Sequence, residues 1–135
     1  MLNSHEAICR YLCSKFSKEE PGIFAILLFN KNYEFITFER LDRNKDNQHI
    51  SHTEWLMQAA RNRVLKYNAA YVVLAQNRPP REMEDVFADV LRAAGLNTIL
   101  GAENVGFHDY INVWGKKTFS LARVGAIVKI RLDFI

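Results

Sequence analysis

Long apolar runs are missing from this chain. The stretch from Ile23 to Phe29 is strand-sized, far short of the roughly 20 residues a membrane-spanning helix needs. No membrane partner is therefore expected. The N-terminus, Met-Leu-Asn-Ser-His-Glu, places no basic region ahead of an apolar stretch. A secretory signal is not expected, and the cytoplasm is the default location. Cysteine is scarce: Cys9 and Cys13 are the only two. Their spacing puts them on one face of a helix but does not meet disulfide geometry, so they read as free, buried or half-buried thiols. Cys-X-X-Cys pairs, a glycine-rich phosphate loop, a Ser-His-Asp order, internal repeats, low-complexity tracts and a basic tail are all lacking. The matching chemistries lose their usual signatures.

What is present is enough for one domain with a full core: 135 residues, 49% of them hydrophobic. A formal net charge of +3 with 24% charged residues permits phosphate or acidic partners without requiring them.

Patterning along the chain predicts an α/β domain. Asn3 followed by Glu6 resembles a capping box, and Ile8, Leu12 and Phe16 mark a helix over about 4–17. Ile23 to Asn30 reads as a buried strand, Lys31-Asn32-Tyr33 as a tight turn, and Glu34 to Arg40 as the second arm of a hairpin. The polar stretch Asp42 to Gln48 reads as a loop. Ser51 and Glu54 form a second capping box, ahead of a helix whose face carries Trp55, Leu56, Ala59, Ala60, Val64 and Tyr67 and which Asn68 closes. The next strand, Ala70 to Ala75, delivers the turn Gln76-Asn77-Arg78-Pro79. Val86, Phe87, Val90, Leu91 and Ala94 predict an amphipathic helix stopped by Gly95. Short strands are expected at Asn97–Leu100, Asp109–Trp114 and Thr118–Leu121. In the tail, Ala126, Val128, Ile130, Leu132 and Phe134 alternate with more polar residues.

Several collinear segments resemble the RadC-type branch of the JAB/MPN metalloprotease-like family over about residues 4–125. They are Ser4-His5-Glu6-Ala7 with Tyr11-Leu12, Phe24 to Asn32, Asn68-Ala69-Ala70 leading into Val72 to Ala75, Asp109 to Val113, Phe119-Ser120-Leu121 and Gly125. The resemblance implies a single MPN-like domain, a mixed twisted sheet with helices packed on it; the alternating tail at 126–134 reads as an extra strand beyond the match. It also implies where a zinc site would lie. In that family the turn reads His-Asn-His-Pro and both histidines hold zinc; here those positions are Gln76 and Arg78. An amide is a poor zinc ligand and a guanidinium is none, its fixed charge opposing a cation. The third family ligand is an aspartate further along. Counting from Arg78 lands on Asp89, whereas anchoring on Gly95 favours Glu82 or Asp85 at the start of the helix. The family's catalytic glutamate falls at Gly22, with Glu20 two residues away.

The expectation is therefore a domain without a metal, a cofactor or catalysis, whose former metal-site region is Gln76, Asn77, Arg78 and Glu82. Family members without metal act as scaffolds, which implies a protein-interaction module and a homodimer or other protein partner. Val128, Ile130, Leu132 and Phe134 are the candidate interface, on a strand that either covers the domain's own sheet or pairs with another chain. The alternative is a nucleic-acid-binding accessory protein related to DNA repair. Its anion site would gather Arg61, Arg63, Lys66, Arg78 and Arg81, extended by Arg40, Arg43 and Lys45; the other reading of these residues is a solvated surface. His49 and His52 read as surface histidines, and His5 and His108 as isolated ones. Tyr33, Trp55 and Tyr67 read as core.

Overall fold

The computed structural model describes residues 2–43, 49–79 and 83–125, the side chains of 83–85 excepted. The candidate interface at 126–134, with Glu82, Arg81 and Lys45, lies outside the described residues.

The described elements run α1 (His5–Phe16), β1 (Phe24–Phe29), β2 (Phe35–Leu41), α2 (His52–Tyr67), β3 (Tyr71–Asn77), α3 (Met83–Ala102), β4 (Gly106–Trp114) and β5 (Lys117–Ser120). The strands form one mixed sheet in the order β2-β1-β3-β4-β5. Among hydrogen-bonded neighbours only β3 and β4 run parallel; α3 is the crossover between them, as α2 is between β2 and β3, which flank β1. This is the expected α/β class, with helices packed on both faces of the sheet.

β1 is buried along its whole length. Its alternate side chains enter two cores, as a central strand covered on both faces must. Phe24, Ile26 and Leu28 pack with α2 and α3, together with Leu56, Val64, Leu96 and Leu100. Ala25, Leu27 and Phe29 pack under α1, with Leu12 and Phe16. One bulge matters to the geometry that follows: Val72 pairs with Phe107 but Val73 with Asp109, leaving His108 as the extra residue. The bulge keeps Phe107 and Tyr110 in the α2/α3 core and turns Asp109 and Ile111 toward α1.

Three details depart from the sequence expectations. The N-cap of α1 is Ser4, not Asn3; its Oγ accepts the Ala7 N–H at 3.1 Å. The second cap is as expected, with Ser51 Oγ accepting the Glu54 N–H. β3 continues through Gln76 and Asn77, so these residues belong to the strand rather than to a turn. The third departure is the largest. Gly95 does not stop the third helix, and the segment expected as a strand at Asn97–Leu100 is helical. Ala93, Leu96 and Leu100 carry a buried stripe straight through the glycine. A Cβ on Gly95 would lie 3.3 Å from Met57 Cε, so the glycine lets α2 approach closely instead of ending α3. The buried stripe also differs from the expected face: Phe87 and Leu91 are 65% and 59% exposed.

Candidate functional site

The end of β3 brings three of the singled-out residues together. Gln76 is buried, and its Oε1 accepts the hydroxyl of Tyr110 at 2.9 Å. Burial, and after it the charge of Asp89, pushes the Tyr110 phenol far above its usual range. Asn77 turns elsewhere: its Nδ2 donates to the carbonyl oxygens of Glu19 and Glu20, each at 3.0 Å, pinning the loop before β1. Arg78 reaches across to Asp89 on α3, which is fully buried.

The Asp89 carboxylate is saturated. Its Oδ1 accepts Arg78 Nη1 at 3.0 Å and Arg92 Nη1 at 3.1 Å; its Oδ2 accepts Arg78 Nη2 and, at 2.8 Å, Asn112 Nδ2. A carboxylate offers about four lone-pair directions, and all are occupied. The bidentate geometry is what a planar guanidinium provides and an ammonium does not. Two guanidinium groups thus meet this carboxylate, and Arg92 also lies over the Phe24 ring, 5.7 Å from its centre.

Among the described side chains, the acid that meets Arg78 is Asp89, the residue reached by counting. The reason is the length of α3. Because the helix runs to Ala102, Asp89 sits in its second turn, near the end that faces β3, and not in the middle of a short helix. Glu82 and the Asp85 side chain fall outside what is described.

Gly22 has φ of +91°, a backbone conformation that side-chain-bearing residues rarely adopt. Its N–H donates to the carbonyl of Asn77 at 2.6 Å. Glu20 is exposed, and its backbone is held by Asn77. His52 lies beside Phe24 and Trp55, with ring centres at 5.4 and 5.2 Å. Burial first, then the positive charges of Arg92 and Arg43, lowers its pKa. Among the described residues, no group of three or more His, Cys, Asp or Glu side chains is placed to hold a metal ion.

The basic residues proposed as one anion site are not gathered. Phe24 pairs with Gln76 and His52 lies against Phe24, so α2 begins at the Arg78 end of the sheet and leads away from it. Arg61 is bound to Glu103 at 2.8 Å, and Arg63 lies 3.4 Å from Glu39. The Lys66 ammonium sits over the Tyr67 ring. Arg40 bridges Glu19 and Asp42. Each of these cations has a local partner, with Arg63 and Lys66 set around the same Glu39–Tyr67 pair.

Other expectations for single residues are corrected. Trp55 is core, but Tyr33 is 56% exposed, with φ of 61°, and stacks on Tyr71 at 4.2 Å between ring centres. His108 is not isolated, since its ring lies 4.8 Å from that of Tyr71. His5 is not isolated either: it contacts Cys9 and approaches Asp109. Sequence reasoning missed Arg92, Asn112 and Tyr110 as members of the β3 end. No local motif marks them, because they converge from a helix and a neighbouring strand.

Comparison with known proteins agrees with this geometry. A family model described as the RadC-like JAB domain matches residues 2–126. Curated relatives include the UPF0758 protein YeeS of Escherichia coli (strain K12), 32% identical over 124 residues, covering 92% of this chain and 81% of that protein. A UPF0758 protein of Janthinobacterium sp. (strain Marseille) is 30% identical over 124 residues, covering 92% of this chain but 54% of its own length. UPF0758 protein HEAR2468 of Herminiimonas arsenicoxydans is 29% identical, again with 54% of its length covered. Apart from YeeS, the chain spans about half the length of the curated relatives it matches. With residues 2–126 matched by the family model, the chain belongs to the RadC-like JAB domain family.

Proposed function

We propose that this chain is a catalytically inactive RadC-like JAB domain that works as a protein-interaction or scaffold module. The observation that carries the reading is the Arg78–Asp89 pair. A fixed positive charge sits against Asp89, the candidate ligand carboxylate among the described residues, and its four lone-pair directions are taken by Arg78, Arg92 and Asn112. Gln76 contributes an amide already engaged by Tyr110, and the residues present do not fit zinc. The glycine at position 22 adds to this, since no carboxylate stands there to take a proton from a metal-bound water.

The interaction role is supported by the apolar residues that α3 leaves exposed, Phe87 and Leu91. They lie four apart and so share one helix face. Exposed apolar surface of this kind marks association surfaces more often than it serves a lone domain. Self-association is the simplest form of partnership, with the alternating tail as a second contributing segment.

Metal content and thermal stability with and without zinc test the inactive reading. The wild-type protein should purify without stoichiometric zinc, show no zinc-dependent rise in Tm and hydrolyse no peptide bonds. The Gln76→His/Arg78→His variant removes the guanidinium and places two imidazoles beside Asp89. It should bind one zinc ion and gain about 2.7 kcal/mol of stability at a hundredfold excess over Kd. Stoichiometric zinc in the wild-type protein overturns the proposal.

A further inference from the structure

The opposite face of the sheet carries a second cluster of chemically active side chains. A cavity of about 1060 Å³ opens between α1, the β1–β2 turn and the segment after β5, lined in part by His5, Tyr11, Tyr33, Phe35, Asp109 and Arg123. His5 and Cys9 are one turn apart on α1, and His5 Nε2 lies 3.4 Å from Cys9 Sγ. The other ring nitrogen, Nδ1, faces Asp109 Oδ2 at 4.0 Å. Asp109 is fixed in place: its Oδ1 accepts the N–H groups of Tyr110 and Ala122 at 2.7 and 3.0 Å, and its Oδ2 accepts the Ser120 hydroxyl. One lone pair on Oδ2 therefore remains, on the oxygen nearest the imidazole. Thiol, imidazole and carboxylate stand in the order that activates a nucleophile, with spacings as loose as unliganded sites often show. Cys9 is half-buried rather than sealed, and its imidazole partner is part of the cavity wall.

We propose that Cys9 is a reactive thiol, served by His5 as base and by Asp109 as the group that orients His5, and that it forms mixed disulfides with low-molecular-weight disulfides. In the step, His5 Nε2 takes the thiol proton as Cys9 Sγ attacks one sulfur of the incoming disulfide. A new sulfur–sulfur bond forms, the old one breaks, and the departing thiolate takes the proton back from His5. The Cys9 sulfur is oxidised and the leaving sulfur reduced, so no other co-reactant is needed. The retained half of the disulfide would lie beside His5 on the cavity wall, from which aromatic rings offer apolar contact and Arg123 a partner for a carboxylate. Cys13 serves as an internal control. Its thiol is held above the usual range, by burial first and by Cys9 second, whereas it is Cys9 that meets the His5 imidazole. The cluster lies across the sheet from Arg78 and Asp89 and does not depend on whether that site is inactive.

The test follows the two thiols separately with 5,5′-dithiobis(2-nitrobenzoate), in the Cys13→Ser and Cys9→Ser proteins at neutral pH. Cys9 should react about tenfold faster than Cys13, or more. His5→Gln should remove that advantage while leaving the Cys13 rate unchanged. Glutathione disulfide should leave one adduct, on the peptide ending at Arg10 after trypsin cleavage, which separates Cys9 from Cys13. Equal rates for the two thiols in the folded proteins overturn the proposal without any histidine variant. So does an equal change of both rates on His5→Gln, which would mark a loosened helix instead of a lost base.

Discussion

Asp89 shows what one buried charge demands. It has no exposed surface, and its charge is compensated by Arg78, Arg92 and an Asn112 amide. Removing one partner of such a pair leaves a desolvated charge behind, which commonly costs more than the intact pair contributes. Arg78→Ala should therefore destabilise the fold by about 3 kcal/mol, at the lower end of the usual range because Arg92 and Asn112 remain. Urea unfolding checks the value, and Asp89→Asn/Arg78→Met should recover part of the loss by removing both charges. Gln76 and Arg78, with Asn77 between them and Pro79 after, were legible directly from the sequence as the segment to watch. Their partners were not, because Arg92, Tyr110 and Asn112 approach through space from two other elements.

Helices and strands explain where local reading worked and where it failed. β1 and β3 stood out because continuous apolar runs of strand length leave few alternatives. The cap of α2 was equally plain, since Ser51 three residues before Glu54 is a local signal. α3 misled because it is apolar on more than one face, and periodicity alone does not say which face meets the sheet. Gly95 looked like a stop, yet a helical glycine also serves close packing. Gly95→Ala should raise stability by about 0.5 kcal/mol: it gains helix propensity, and the Met57 side chain it meets at 3.3 Å is flexible enough to shift. A Tm that falls on this substitution would mean that Met57 does not yield.

At the start of α2, His52 makes stability depend on pH. Its pKa is lowered in the folded state from an ordinary value of 6.5, so the unfolded chain binds the proton first. The contribution is complete above that value and is lost as pH falls from there through the folded value. Tm should decline on acidification below about pH 6.5, and less steeply in His52→Gln. The effect should be small, because the ring is partly exposed to solvent.

For the molecule as a whole, the sheet divides two chemistries. Arg78 and Asp89 lie on the α2/α3 side, and Cys9, His5 and Asp109 on the α1 side. The outer face of α3 presents Phe87 and Leu91 to solvent. If this face joins two copies, Phe87→Ser/Leu91→Ser should weaken self-association about tenfold or more, at the roughly 1.4 kcal/mol that each tenfold step represents. Sedimentation velocity checks it, and added salt should change the association little, because the contact is apolar. A wild-type protein that stays monomeric at high concentration removes self-association as the form of partnership.

Residue identity alone determined the α/β class and the likeness to the RadC family, since each follows from local pattern. Tertiary structure decided which acid meets Arg78, which face of α3 is buried and that His5 stands between Cys9 and Asp109. These outcomes depend on a bulge, a helix length and a close helix contact. Such features are set by packing between segments far apart in the chain, where sequence spacing carries no distance.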